Sequence, residues 1–207
     1  MKKIVTQFCD QCRYAKYKYK QYFILYESGE VRLELLEKIA PDFFRNLQII
    51  LKDDIFLNIC KITDPACCGK RGNLTIKYIL KQIESKTLEE LKLNELSDKI
   101  HKFRDYIVEA RNKIIGHLDC ETITSNRSLG GFPKTASDDF WIDLQEFVNR
   151  IHKHYLDDAF TLDPIPTTDN AEDLVLALKK AAYFDQHFKE VLHSDLLEEN
   201  QFRYRNA

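Results

Sequence analysis

Glycine and proline are scarce in this 207-residue chain, with six and five copies. Most of them fall where turns are expected. Gly29, Gly69, Gly72, Gly130 and Gly131 sit in candidate turns, and Pro41, Pro65, Pro133, Pro164 and Pro166 at candidate boundaries. Breakers held to boundaries leave long uninterrupted segments, which suits helices. No stretch of useful length alternates apolar and polar residues with period two, so a sheet protein is excluded. No apolar run approaches the roughly 18 residues that a membrane span needs. The formal net charge is -2, so the chain cannot coat nucleic acid by bulk positive charge, and any such contact must be local. The chain has no glycine-rich phosphate loop, no Gly-x-Ser-x-Gly and no carboxylate cluster at metal-binding spacing. The common nucleotide-hydrolysing and serine-hydrolase engines are therefore excluded.

Cysteine is present but badly spaced for a metal. Cys9-x-x-Cys12 has no second Cys-x-x-Cys to complete it, and the adjacent Cys67 and Cys68 chelate zinc poorly as a pair. His152 and His154, two residues apart, point to different sides of a helix. We expect no metal site and no cofactor. The N-terminal Met-Lys-Lys-Ile-Val-Thr-Gln-Phe meets Cys and Asp before a signal-peptide core could form. A cytoplasmic protein with reduced thiols is the expectation.

What is present is helical periodicity. Val5, Phe8, Cys12, Ala15, Tyr19, Tyr22 and Tyr26 recur every three or four residues, as one helix face does. A second helix is expected over about 31–38. A third follows Pro41, with Phe44, Leu47, Leu51, Ile55, Ile59 and Ile62 inward, and ends at Asp64-Pro65. After a loop over 64–73, a short helix places Ile76, Ile79, Leu80 and Ile83 inward. Thr87-Leu88-Glu89-Glu90 reads as a capping box that reopens helix near position 88. Leu96, Ile100, Phe103, Ile107, Ala110 and Ile114 form the cleanest stripe, at steps of four, three, four, three and four. A loop over 120–136 is long for a helical domain, and such loops are often functional. Phe140, Leu144, Phe147, Ile151 and Tyr155 mark another helix. Residues 161–169 read as a connector, and Asn170 as the cap of a last helix carrying Leu174, Leu178, Ala181, Phe188 and Val191. The fold class is all-α, an up-and-down bundle of five to seven helices. We expect one domain over residues 1–207, with 196–207 a loose C-terminal tail.

The stretch Arg111-Asn112-Lys113-Ile114-Ile115-Gly116-His117-Leu118-Asp119, at the end of the cleanest stripe, carries the chemistry. Arginine holds a phosphate as a permanent, planar cation. Histidine moves protons near neutral pH. Six steps of α-helix rotate roughly 240° and rise roughly 9 Å, so Arg111 and His117 would not share a face of an unbroken helix. Gly116 is the one glycine outside the candidate turns. It is expected to release the chain from helical geometry and let the imidazole fold back toward Arg111. The plainer reading pairs Arg111 with Asp105 or Asp119 as a surface ion pair and leaves His117 on the helix dipole. Lys113 follows Glu109 by four residues, an ordinary helix pair, and is also a candidate phosphate contact. Asp119 is a candidate for orienting His117.

Arg-Asn, four residues, then His resembles the Arg-polar-x-x-x-x-His motif of the HEPN superfamily of helical bundles. The wider string from Arg111 to Asp119 is similar to that of the abortive-infection U-type group within it. So is the stretch from Asp64-Pro65 to Gly72-Asn73-Leu74-Thr75-Ile76. The resemblance covers roughly Phe43 to Trp141. It implies a metal-independent endoribonuclease, a toxin or phage-defence effector, that cuts single-stranded RNA and leaves 2′,3′-cyclic phosphate ends. In that reading His117 moves the proton, Arg111 binds the scissile phosphate and Asn112 orients the phosphate or the imidazole. The resemblance also implies a homodimer that juxtaposes two motifs, and it allows a nucleotidyltransferase-like antitoxin as partner. The alternative is a non-catalytic helical module that binds nucleotide, RNA or protein through the same groove.

The first helix supplies a second candidate surface. Lys2, Lys3, Arg13, Lys16, Lys18 and Lys20 face Asp10 alone, with Tyr14, Tyr17, Tyr19 and Tyr22 interleaved. Lys16 and Lys20 are the candidate RNA contacts there, through phosphate charge beside stacking rings. A solvated face with half-buried tyrosines fits the same pattern.

Overall fold

The computed structural model describes residues 1–125, 127–163 and 169–191, with side chains as far as residue 188. Pro164, Pro166, the side chain of Val191 and the expected tail at 196–207 lie outside the described residues. The fold is all-α. Among the described residues, six helices have ten residues or more: α1 (Lys2–Tyr26), α2 (Glu30–Ile39), α3 (Pro41–Thr63), α6 (Leu93–Ala110), α8 (Lys134–Leu156) and α9 (Ala171–Val191). Three short helices fill the connections: α4 (Ile76–Lys81), α5 (Ser85–Glu90) and α7 (Cys120–Thr124). The strands β1 (Cys67–Cys68) and β2 (Arg71–Gly72) pair antiparallel, Cys67 opposite Gly72. No helix among the described residues is long and apolar enough to cross a membrane.

The chain forms two compact units. The first comprises residues 1–20 and 49–166. Its core follows the expected stripes. Leu96, Ile100, Phe103, Ile107 and Ala110 of α6 are buried, and so are Phe140, Leu144, Phe147 and Ile151 of α8. Each large side chain so buried contributes about 2 kcal/mol of transfer free energy. Phe103 joins a cluster of rings, 4.7 Å from Phe132 and 5.0 Å from Phe140 between centroids. Gly130, at φ +80°, brings the loop before α8 onto this cluster. A Cβ there would lie 2.7 Å from the Phe56 ring and 3.1 Å from the Ala110 methyl.

The second unit comprises residues 21–48 and 167–207. Within it Tyr26 donates to the Phe44 carbonyl at 2.8 Å. Arg32 donates to the Ile24 carbonyl at 2.6 Å and pairs with Glu172 at 3.2 Å. Asn170 accepts from the Glu172 amide at 2.7 Å, as expected of the cap of α9. The buried side of α9 differs from the one expected. Ala171 and Val175 are buried, whereas Leu174 is exposed and Leu178 half-buried. Leu174, Leu176, Tyr183 and Phe184 are all exposed, so apolar residues lie on more than one side of α9. Their spacing therefore could not say which side packs.

Two further expectations need correction. The capping box at Thr87 is not used, because α5 already starts at Ser85 and Thr87 lies inside it. The short α5 is separated from α6 by Lys92, which adopts a left-handed conformation at φ 49°. The expected loop over 120–136 contains α7, whose N-cap is Asp119.

Candidate functional site

The α-helical stripe of α6 ends at Ala110. The next five residues, Arg111–Ile115, form a π-helical turn. Its ring closes from the Gly116 amide to the Arg111 carbonyl at 2.7 Å, and the Asp119 amide reaches the Lys113 carbonyl at 2.9 Å. Such turns widen the helix by one residue and recur at functional sites. One consequence is visible in the stripe itself. Ile114, expected in the core, is only half-buried, because the wider turn carries it out of register with Ala110. The chain is non-helical from residue 117 to Asp119, so α-helical rotation no longer sets the direction of His117.

Gly116 acts differently from the sequence expectation. Its backbone is right-handed, at φ -82° and ψ -28°, so no left-handed freedom is used. A glycine is required because a Cβ there would lie 2.9 Å from the Arg111 carbonyl oxygen, the same oxygen that accepts from Gly116. Gly116→Ala is therefore expected to open the π turn and displace both Arg111 and His117. Circular dichroism should change little, while any activity that needs both groups falls sharply. An alanine variant as active as the parent would show that the turn does not set the site.

Arg111 does not pair with Asp105 or Asp119. Its Nη2 donates to both carboxylate oxygens of Asp64, at 2.5 and 2.7 Å. Arg104, two turns earlier on α6, donates to the same carboxylate at 3.1 Å. The three side chains are each about a quarter exposed, between 22% and 26%. Burial works against the charge of Arg111, but a hydrogen bond to the Cys60 sulfur and the charge of the Asp64 carboxylate outweigh it, and its pKa stays above the ordinary arginine value. Cys60 is buried at 1% exposure, and burial pushes its thiol up despite the adjacent guanidinium, as for a thiol that serves packing. Two guanidiniums on one carboxylate leave one surplus positive charge in a partly shielded place. The Nε atoms of Arg104 and Arg111 are both buried without a hydrogen-bond partner.

His101 fixes the end of α3 beneath this cluster. Its ring nitrogens lie 3.1 Å from the Thr63 carbonyl oxygen and 2.7 Å from that of Ser97. The carboxylate that holds Arg111 is thus placed by the residue before it. Asp64 and Arg104 were missed by reasoning from the sequence. The signal available was modest: arginines at 104 and 111, seven residues apart, share one face of a helix.

The remaining candidates are dispersed. Asn112 and His117 are exposed, and no hydrogen bond joins His117 to Arg111 among the described residues. Leu118 beside it is 82% exposed, so the segment projects from the fold. Lys113 pairs with Glu109 at 3.0 Å on the surface, where solvent screens the attraction. Asp119 accepts from the Thr122 amide at 2.9 Å as the cap of α7. The Thr122 hydroxyl and then this amide hold its carboxyl below the usual range. Lys20 is exposed. Lys16 packs over the Trp141 ring at 4.8 Å and the Tyr19 ring at 5.3 Å. It lines an open groove of about 790 Å³ together with Asp138, Asp143, Glu146 and Asp163. Burial lowers the pKa of Lys16, and Asp163 and Asp138 oppose the shift. Four carboxylates beside three cations make this groove a poor path for RNA. Cys9 and Cys12 are buried in the core, whereas Cys67 and Cys68 are exposed on the hairpin. Among the described residues no group of three or more His, Cys, Asp or Glu side chains is placed to hold a metal ion.

Comparison with known proteins agrees with the motif. No curated protein and no solved structure matches the chain. The AbiU2 family of HEPN domains matches residues 1–174, well beyond the stretch from Phe43 to Trp141 that carried the resemblance. It takes in α1, α2 and the whole of α8, and reaches the start of α9. With that span matched, the chain belongs to the AbiU2 family of HEPN domains.

Proposed function

We propose that this protein is a metal-independent endoribonuclease of the HEPN type, cutting single-stranded RNA as a toxin or phage-defence effector. The observation that carries the reading is the pair of arginines on Asp64 at the end of α6, followed across the π turn by the exposed His117. The surplus charge on that cluster attracts a phosphodiester. As the RNA 2′-oxygen attacks phosphorus, the P–O5′ bond breaks and charge builds on the non-bridging oxygens. Arg111, already held in a fixed direction by Asp64, is suited to stabilise that charge. His117 takes the 2′-hydroxyl proton or delivers one to the leaving 5′-oxygen, and Asn112 orients the phosphate. The products are a 2′,3′-cyclic phosphate and a 5′-hydroxyl.

One imidazole cannot serve both oxygens at once. A homodimer with two facing motifs would supply the second, which is why we expect a dimer. A cytoplasmic location and control by a nucleotidyltransferase-like antitoxin belong to the same proposal. Lys113 and Asp119 are its outlying members, with Lys113 near the phosphate path and Asp119 setting the turn after His117.

One observation favours the non-catalytic alternative. The Asp64 carboxylate already occupies Arg111, and a guanidinium so engaged can serve as a structural or binding group alone. The experiment that decides is direct. Purified protein is incubated with single-stranded RNA in excess chelator, and the new ends are identified. Scission with 2′,3′-cyclic phosphate ends is expected. Binding of RNA without scission leaves the binding module, and scission that needs added metal rejects the metal-independent mechanism.

A further inference from the structure

The cluster at the end of α6 holds more positive charge than its carboxylate can balance, and more donors than it can engage. Arg104 and Arg111 share one face of α6, and both donate to Oδ1 of Asp64. The two contacts are unequal. Arg111 spans both carboxylate oxygens, whereas Arg104 reaches Oδ1 alone, at 3.1 Å. Two guanidiniums carry about ten N–H groups between them, and one carboxylate accepts about four. The Nε atoms of both arginines are buried without an acceptor. No other carboxylate completes the set among the described residues. Glu109 is taken by Lys113 and Arg127, and Asp105 pairs with neither arginine. The cluster is one anion short. Without Arg104 it would not be, because Arg111 and Asp64 alone make a closed, neutral pair.

We propose that Arg104 is a positioning residue of the RNA site, acting through Asp64 to leave the charge of Arg111 available to a phosphodiester. It need not touch the phosphate. If Arg104 were absent, Asp64 would cancel Arg111, and a phosphodiester would have to displace the carboxylate in order to bind. With Arg104 in place the carboxylate is balanced from its other side and still steers Arg111. Free charge and fixed direction thus come from separate groups. Each of the three side chains is about a quarter exposed, so solvent screens the effect only in part. One unit charge at this range changes the affinity for an anion by roughly five- to ten-fold. The inference rests on the ribonuclease reading for its choice of RNA as the anion.

The test is RNA affinity in the full-length protein carrying His117→Ala, so that nothing is cut. A labelled single-stranded oligonucleotide is titrated over a range of salt concentrations. Arg104→Gln should weaken binding roughly five- to ten-fold at low salt. It should also flatten the slope of log affinity against log salt by about 0.7, the share of one neutralised phosphate. Arg104→Lys keeps the charge and should keep the slope. Asp64→Asn adds a charge and should tighten binding even as turnover falls, since charge sets the affinity and the carboxylate sets the direction. The variant that decides combines Asp64→Asn with Arg104→Gln. Its net charge equals the parent's, so parental affinity and slope should return. A structural role for Arg104 predicts the reverse, because the combined variant has lost both contacts and should bind worst of the set. A combined variant as weak as Arg104→Gln, a slope unchanged by Arg104→Gln, or a parent without affinity for RNA overturns the proposal. Cleavage by the same variants with His117 intact tests the ribonuclease separately. The charge pattern without any scission supports the role of Arg104 and rejects the ribonuclease. Scission without the charge pattern does the opposite.

Discussion

Replacing His117 by alanine should lower RNA scission by about 10²–10⁴-fold, the usual contribution of a positioned acid or base, with almost no change in melting temperature. The two halves of that result have separate causes. The imidazole is exposed and makes no hydrogen bond among the described residues, and surface changes away from packing or caps shift stability by at most about 0.5 kcal/mol. Its loss therefore costs the fold little. The reaction would lose the only imidazole in the motif, and no neighbour replaces it. Asp119 is committed to capping α7, and Lys113 to Glu109. The measurement is single-turnover cleavage of a labelled single-stranded RNA in chelator, with thermal unfolding of the same preparation. Cleavage within a few-fold of the parent would remove His117 from the chemistry. A fall of many degrees in melting temperature would show that the residue is structural.

Asp64→Asn should act on both stability and activity. The carboxylate is shared by Arg104 and Arg111, so its neutralisation leaves two guanidiniums facing each other. Breaking a fully buried pair costs about 3–5 kcal/mol. Water reaches about a quarter of each side chain here, which screens the repulsion, and about 1–2 kcal/mol is the expected loss. For a chain of this size that corresponds to roughly 2–8 °C in melting temperature. Activity should fall as well, by up to about 10²-fold, because a guanidinium released from its fork no longer meets the phosphate in one direction. Because asparagine keeps an acceptor for one arginine, Asp64→Ala should be worse on both counts. A rise in cleavage on Asp64→Asn would mean that the carboxylate competes with the phosphate for Arg111, and Asp64 would then be an inhibitor of the site. Unchanged stability and unchanged cleavage together would strip it of either role.

The stripes of α6 and α8 could be read along the chain because burial there follows one face of a regular helix, and the spacing of Phe103, Ile107 or Leu144 reports it directly. The end of α6 could not be read so closely. A π turn is selected by one local contact, a missing Cβ against the Arg111 carbonyl, and it leaves no periodic trace before Gly116. The break at Lys92 is equally hidden, since a lysine in left-handed conformation carries no signature in composition. On α9 the pattern was present but ambiguous, because apolar residues lie on several sides and packing within the second unit selects Ala171 and Val175.

The sequence by itself determined the all-α class, the main helices and the Arg-Asn-x-x-x-x-His motif, because these are local in spacing and in chemistry. Only the tertiary structure decided what the motif touches. Asp64 lies 47 residues from Arg111, and its choice over the nearer Asp105 and Asp119 depends on the end of α3 being held to α6, where His101 meets the Thr63 carbonyl. A long-range ion pair forms where the backbone brings charges together, and spacing along the chain cannot express that distance.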